Sequence, residues 1–175
     1  MKPWLRSNRW YLAALAALVP AAILVALNAG WFAYVEGETG QPIVVDGSET
    51  VEYSGAKWAL LEWRAVAAGT DAGEEADLLP GTTLITATIG VRPGEAAPAC
   101  TVQLTDAAGI RSWDEAGFDE TSYEVRSDSE NYCDSNATEP YKLEVFFVVP
   151  DDAAADARLT LQSPDEYPAL LVFEL

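Results

Sequence analysis

The sequence predicts an all-β, antiparallel sandwich preceded by a single N-terminal transmembrane helix. Three observations carry that class: one uncharged apolar run near the N-terminus, short segments alternating apolar and polar residues after it, and turn signals between those segments. No stripe of helical period competes in the remainder, and 175 residues leave room for one ordinary domain beyond the anchor.

From Trp10 to Val35 no residue is charged. At about 1.5 Å per residue, a helix of that run is long enough for a hydrocarbon layer roughly 30 Å thick. Lys2, Arg6 and Arg9 precede it, Glu36 and Glu38 follow it, and Trp4, Trp10, Tyr11, Trp31, Phe32 and Tyr34 mark its two ends. The cationic side stays inside, so residues 1–9 are expected in the cytoplasm and the C-terminal part outside the cell membrane. Pro20 removes a backbone donor and predicts a mild kink. A cleaved signal peptide is the alternative, although its apolar region spans only about 7–15 residues. Alanines such as Ala13, Ala17 and Ala21 would let another helix approach, which makes a membrane-protein partner an expectation.

Residues 36–42 read as a polar linker, since Gly and Pro punctuate and nothing apolar repeats. The exported domain is expected over 43–175. Its predicted strands are Ile43–Val45, Thr50–Tyr53, Trp58–Ala67, Thr82–Val91, Cys100–Thr105, Ile110–Trp113, Tyr123–Arg126, Leu143–Val149, Arg158–Gln162 and Leu170–Leu175. In the fourth, Ile85, Ala87, Ile89 and Val91 should be dry while Thr86, Thr88 and Gly90 face water. Trp58 and Trp63, five apart, should lie on opposite faces. The eighth is apolar on both rows, Leu143, Val145, Phe147 and Val149 against Phe146 and Val148, and so is expected to be covered on both sides. Asp151 to Asp156 follows Pro150 with acids leading alanines, which suits one helical turn.

Charge and missing residue types narrow the function. The net charge is −18, and after residue 35 seven basic residues stand against 28 acidic ones, a balance of −21. Such a field repels phosphate backbones, so nucleic acid is not expected as a partner. No His is present, which removes the usual general base, the usual triad partner and the commonest zinc ligand. No set of acid, base and nucleophile can be named, and the reading is of a protein that is not an enzyme and needs no cofactor.

Cys100 and Cys133 lack CxxC spacing, and in an exported domain they are expected to form a disulfide. On the chain-entropy model a loop of about 34 residues gains about 3.8 kcal/mol. The bracketed region, Asp106 to Thr138, is rich in Asp, Glu, Ser and Gly and reads as a long stapled excursion.

The run Tyr141-Lys142-Leu143-Glu144-Val145-Phe146-Phe147-Val148-Val149-Pro150-Asp151-Asp152, with Ala157-Arg158-Leu159-Thr160-Leu161 after it, resembles the closing strands of telokin-like, immunoglobulin-type domains of bacterial cell-envelope proteins. Thr82 to Val91, followed by Val102 to Gly109, looks like their strand pair ending in an Asp-x-x-Gly turn. The resemblance covers about residues 80–162 and implies an immunoglobulin-like sandwich in the envelope. Two features depart from antibody-type domains: Cys133 follows Cys100 too closely, and Tyr132 misses the tyrosine-corner offset by one. No functional residue carries over.

Trp113, Phe118, Tyr123 and Tyr132 fall in the acidic excursion, where aromatics could anchor a protein partner or form a local mini-core beneath the loop. Acids cluster at Asp71, Glu74, Glu75 and Asp77, at Asp114, Glu115, Asp119 and Glu120, and at Asp128, Glu130 and Asp134. None matches the twelve-residue calcium loop, so solvated charge is the expectation and no metal ligand is named. The function expected is a membrane-anchored accessory or protein-interaction module, with a ligand- or calcium-binding module as the alternative.

Overall fold

The computed structural model describes residues 8, 16, 18–25, 41–47, 49–95, 98–117 and 120–174. The chain divides into two units, residues 1–39 and 40–175. In the first, residue 16 and residues 18–25 are helical and exposed. No helix among the described residues is long and apolar enough to cross a membrane. Most of the predicted span from Trp10 to Val35 lies outside them, as do residues 36–40 of the predicted linker.

The second unit is a two-sheet β-sandwich. Its strands are β1 (Gln41–Asp46), β2 (Thr50–Tyr53), β3 (Ala56–Ala67), β4 (Thr82–Pro93), β5 (Thr101–Thr105), β6 (Ser112–Trp113), β7 (Tyr141–Pro150), β8 (Arg158–Gln162) and β9 (Ala169–Glu174). One sheet runs β1-β9-β8-β5-β6 and the other β2-β3-β4-β7. Each predicted strand is present to within two residues at either end except Tyr123–Arg126, which is irregular. The folded body also starts earlier than Ile43, because Gln41 and Pro42 already pair with Ala169 and Leu170.

Pairing is antiparallel except at one edge, where β1 runs parallel to β9 with Ile43 opposite Leu171. The antiparallel expectation fails there because these are the first and last strands of the unit. No hairpin links them to impose the opposite direction.

The main core lies between the sheets, where Trp58, Ile85, Ile89, Leu104, Phe147, Leu159 and Phe173 are fully buried. Tyr53 ties the two layers together: its hydroxyl donates to Ala169 O at 2.8 Å and accepts from Ser163 N at 3.1 Å. The β2–β3 hairpin turns through Ser54 and Gly55, both at positive φ, the left-handed pair that a two-residue hairpin requires.

One extra residue in β3 decides which side chains face where. Leu60 pairs with Ile89 and Glu62 with Thr88, so Leu61 is a β-bulge without an opposite number. Strict alternation would put Trp58, Leu60 and Glu62 on one face and Trp63 on the other. The bulge instead brings Trp63 opposite Ala87, half-buried against the main core, so the two tryptophans share the inner face. Glu62 and Arg64 move to the outer face, and the Leu61 side chain lies over Gly90, where an added Cβ would come within 3.2 Å of it.

That outer face of the four-stranded sheet is not the wet surface the alternation predicted. Thr86 and Thr88 on this face are buried along with Ile85, Ala87 and Ile89 on the inner one. A second apolar cluster, Leu84, Phe146, Ala76 and Ala116 with Tyr123 and Val125 packed against it, covers the lower part. As expected, β7 is enclosed on both rows. The cover comes from a short helix, α1 (Asp71–Glu75, capped by Thr70, whose Oγ1 accepts from Gly73 N at 3.1 Å), and from the excursion between β6 and β7. A second short helix, α2 (Asp151–Ala154), is the predicted acidic turn, and Thr83 Oγ1 donates to Asp151 at 2.7 Å.

Cys100 and Cys133 form the expected disulfide, with Cα atoms 5.5 Å apart, joining the start of β5 to the far end of the excursion. Replacing both with serine is expected to lower unfolding free energy by about 3–4 kcal/mol, the loop-closure contribution for this length. Denaturant titration of the double variant against the oxidised wild type checks it; equal midpoints would refute it.

Candidate functional site

Two regions of the outer face hold most of the unusual side chains. The first is a row across three strands, Glu62 of β3, Thr88 of β4 and Glu144 of β7, made adjacent by the pairing register. Glu144 is 1 % exposed, and an isolated carboxylate cannot be buried there. Its Oε1 accepts from Tyr123 Oη at 2.5 Å and its Oε2 from Arg126 Nε at 2.6 Å. The same guanidinium donates to Glu62 Oε2 at 2.8 Å and to Thr88 Oγ1. Arg126 therefore lies across the whole row, and this is why residues 123–126 are irregular: side chains, not a backbone ladder, join them to the sheet.

Further bonds hold the excursion along its length. Ala116 N donates to Phe146 O at 2.9 Å, and Ser122 N and Thr121 Oγ1 donate to Ala76 O at 3.0 and 2.7 Å. Glu130 N donates to Lys142 O and Glu144 N to Glu130 O, both at 2.8 Å, so a short parallel bridge covers the open edge of β7.

The electrostatics of this cluster suit a staple better than a reaction. Burial, then the bond to Glu144, pushes the Tyr123 phenol up to about 12, so it is protonated at neutral pH and cannot serve as a base. Its ring also packs on Phe146, with centroids 5.3 Å apart. The hydrogen bond from Arg126 holds the Glu62 carboxyl below its ordinary range, and Arg126 is raised by Glu62 and Glu144 in turn.

The second region is the bare upper half of the same face. A depression of about 600 Å³ is floored by Ala59, Leu61 and Gly90 and bordered by Lys57, Arg92 and Lys142. Five of the seven basic residues after residue 35 are in ion pairs: Arg64 with Glu62, Arg111 with Asp106 and Asp152, Arg126 as above, Lys142 with Asp128 at 2.5 Å, and Arg158 with Glu174. Among the described residues, the remaining two, Lys57 and Arg92, have none. They are direct partners across β3 and β4.

The aromatic residues picked from sequence are placed apart. Trp113, on β6, is half-buried against the main core with Arg111 5.4 Å from its ring centre. Tyr123 belongs to the second cluster, the mini-core arrangement, and Tyr132 is 58 % exposed beside the disulfide. Phe118 lies outside the described residues. The acids are dispersed likewise: Asp114 accepts from Gln103, Asp128 from Lys142, and Asp134 from Asn136 N. Among the described residues no three acids or cysteines come together as a metal site would need. Sequence reasoning passed over Glu144 and the cations. A carboxylate inside the apolar run Leu143–Val149 was the available signal, as was the scarcity of Lys and Arg.

Arg126→Ala is expected to cost about 3 kcal/mol, because it leaves Glu144 charged and buried without its partner. Arg64→Ala, which removes only an exposed pair, should cost under about 1 kcal/mol. Chemical denaturation of both variants, with limited proteolysis of the excursion, checks the contrast. Acid provides a second test. Arg126 holds the folded pKa of Glu62 below the ordinary glutamate value of 4.5, so its contribution is present above that value and is lost as pH falls through the folded pKa. The melting temperature of wild type should therefore drop more steeply below about pH 4.5 than that of Glu62→Gln; parallel curves would rule out this linkage.

No family model and no curated protein matches the chain. Among solved structures it is similar to an uncharacterised β-sandwich protein of Clostridium difficile 630, at 11 % identity over 78 % of this chain and 94 % of that one, with a TM-score of 0.40. It is similar also to a functionally unknown protein of Listeria monocytogenes EGD-e, at 11 % identity over 65 % and 68 % of the two chains, with a TM-score of 0.39. A candidate lipoprotein of Bacillus subtilis subsp. subtilis str. 168 matches at 14 % identity and a TM-score of 0.44, over 72 % of this chain and 38 % of that one. Nothing about role follows from likeness at this level.

Proposed function

We propose that the chain is a non-catalytic recognition module of the bacterial cell envelope. In this reading the run from Trp10 to Val35 spans the membrane and the immunoglobulin-type sandwich stands outside the cytoplasm. The observation that carries the recognition reading is the fate of the excursion's polar groups. Tyr123, Arg126, Glu144 and Glu62 are consumed in fixing it to the sheet, which makes a firm surface rather than a cleft with a free acid, base or nucleophile. The closed Cys100–Cys133 pair supports an oxidising compartment. A ligand-binding role for the same body is the second reading, favoured by the unpaired cations of the bare depression.

Protease added to intact spheroplasts should digest the C-terminal part, and survival of that part would overturn the topology. Full-length protein extracted in mild detergent should bring down a membrane complex that a variant with a scrambled apolar run retains poorly. Equal recovery with both would remove the anchor from the interaction.

A further inference from the structure

Lys57 and Arg92 lie directly opposite one another with both side chains on the outer face, since their neighbours Trp58 and Val91 are buried inside. Like charges in that position repel and destabilise the sheet. The surrounding protein has acid to spare, yet among the described residues none forms an ion pair with them. Even Glu52, opposite Lys57 on β2, forms no ion pair with it. Lys142, on the far border, already has Asp128, so the uncompensated charge of the depression belongs to Lys57 and Arg92. Between them and Asp128 the floor is apolar. The Leu61 side chain lies over Gly90 and is itself 55 % exposed.

We propose that this depression binds the C-terminal carboxylate of a peptide or protein partner whose last residue is apolar. The carboxylate takes the Arg92 fork and the Lys57 ammonium, and the terminal side chain rests on Ala59, Gly90 and Leu61. An anion is selected because two cations stand unpaired, and arginine matches the planar carboxylate with two parallel donors. A single charge is selected because the chain after residue 35, at −21 in sum with these two cations included, repels polyanions. A chain-terminal residue is selected over a free amino acid because it sets a carboxylate and an apolar side chain on one Cα without the α-ammonium that the two cations would repel. This assignment deepens the ligand-binding form of the recognition reading by naming its ligand chemistry.

The test uses full-length protein in detergent micelles and the dipeptide N-acetyl-alanyl-leucine, with its C-terminal amide and inorganic phosphate as the other arms. Amide chemical shifts around Gly90 should saturate with the acid, and binding should weaken as salt is added. The amide should bind at least about tenfold more weakly, the scale of losing charge-assisted hydrogen bonds. Lys57→Gln with Arg92→Gln should abolish the difference between acid and amide while melting no lower than wild type, which separates lost binding from lost folding. Leu61→Ser should weaken N-acetyl-alanyl-leucine but not N-acetyl-alanyl-glycine. Equal binding of acid and amide, no saturable shifts, or phosphate binding more tightly than the dipeptide would each overturn the assignment. Failure of these titrations with membrane-partner recovery intact sinks this site and leaves the recognition module standing.

Discussion

Burial of the Glu144 carboxylate is the constraint on which the arrangement of the outer face depends. A charge removed from water in the middle of a sheet is tolerated only with hydrogen-bonded compensation, and Arg126 and Tyr123 supply it from a segment distant in sequence. Once Arg126 is committed there, its other nitrogens reach Glu62 and Thr88, and the excursion has no freedom to lie elsewhere. The apolar contacts of Tyr123 and Val125 with Phe146 and Leu84 then follow from position. They contribute area, while the ion pair contributes location, because apolar packing is non-directional and a fork of guanidinium bonds is not.

The bulge at Leu61 is the second half of the same device. It sets Glu62 on the outer face, where Arg126 can meet it, and returns Trp63 to the inner face, where its ring has a core to join. Taking Leu61 into the ladder as an ordinary strand residue would reverse both placements at once, since a slip of one residue exchanges the faces of everything beyond it. The staple and the main core are thus coupled through one irregularity of β3 although they lie on opposite sides of the sheet.

Most of the strand pattern was legible because period-2 alternation survives wherever a strand has a dry face. Leu159 and Leu161 in β8, and the inner row Ile85, Ala87, Ile89 and Val91 in β4, are read correctly from that rule alone. The rule fails where burial is supplied by something distant. Thr86 and Thr88 look like solvent-facing residues, and their cover, from residues 114–117 and 120–130, has no period that reveals a destination. Tyr123 to Arg126 reads as a strand from its β-prone composition, yet its bonds run through side chains. The bulge was hidden for a different reason: Trp-Ala-Leu-Leu-Glu-Trp alternates poorly in either register, so only the pairing with β4 reveals the extra residue. The disulfide was legible from two cysteines and an inferred compartment, whereas the aromatic set was not, because Trp113 and Tyr123 belong to different hydrophobic clusters.

Scarcity makes the placement of positive charge informative. In a body with four acids for every base, almost any surface cation finds a counter-charge by chance, and five of seven have done so. The Lys142–Asp128 pair marks the boundary where the excursion stops covering the sheet, and beyond it the register sets Lys57 between Glu52 and Arg92, with no ion pair to either cation among the described residues. On stability alone that arrangement is unfavourable at Arg92, whose substitution would relieve the repulsion across β3 and β4. Function is a sufficient reason for a locally unfavourable charge pair to persist on an otherwise satisfied fold, since sites that bind anions must hold their cations free of intramolecular partners.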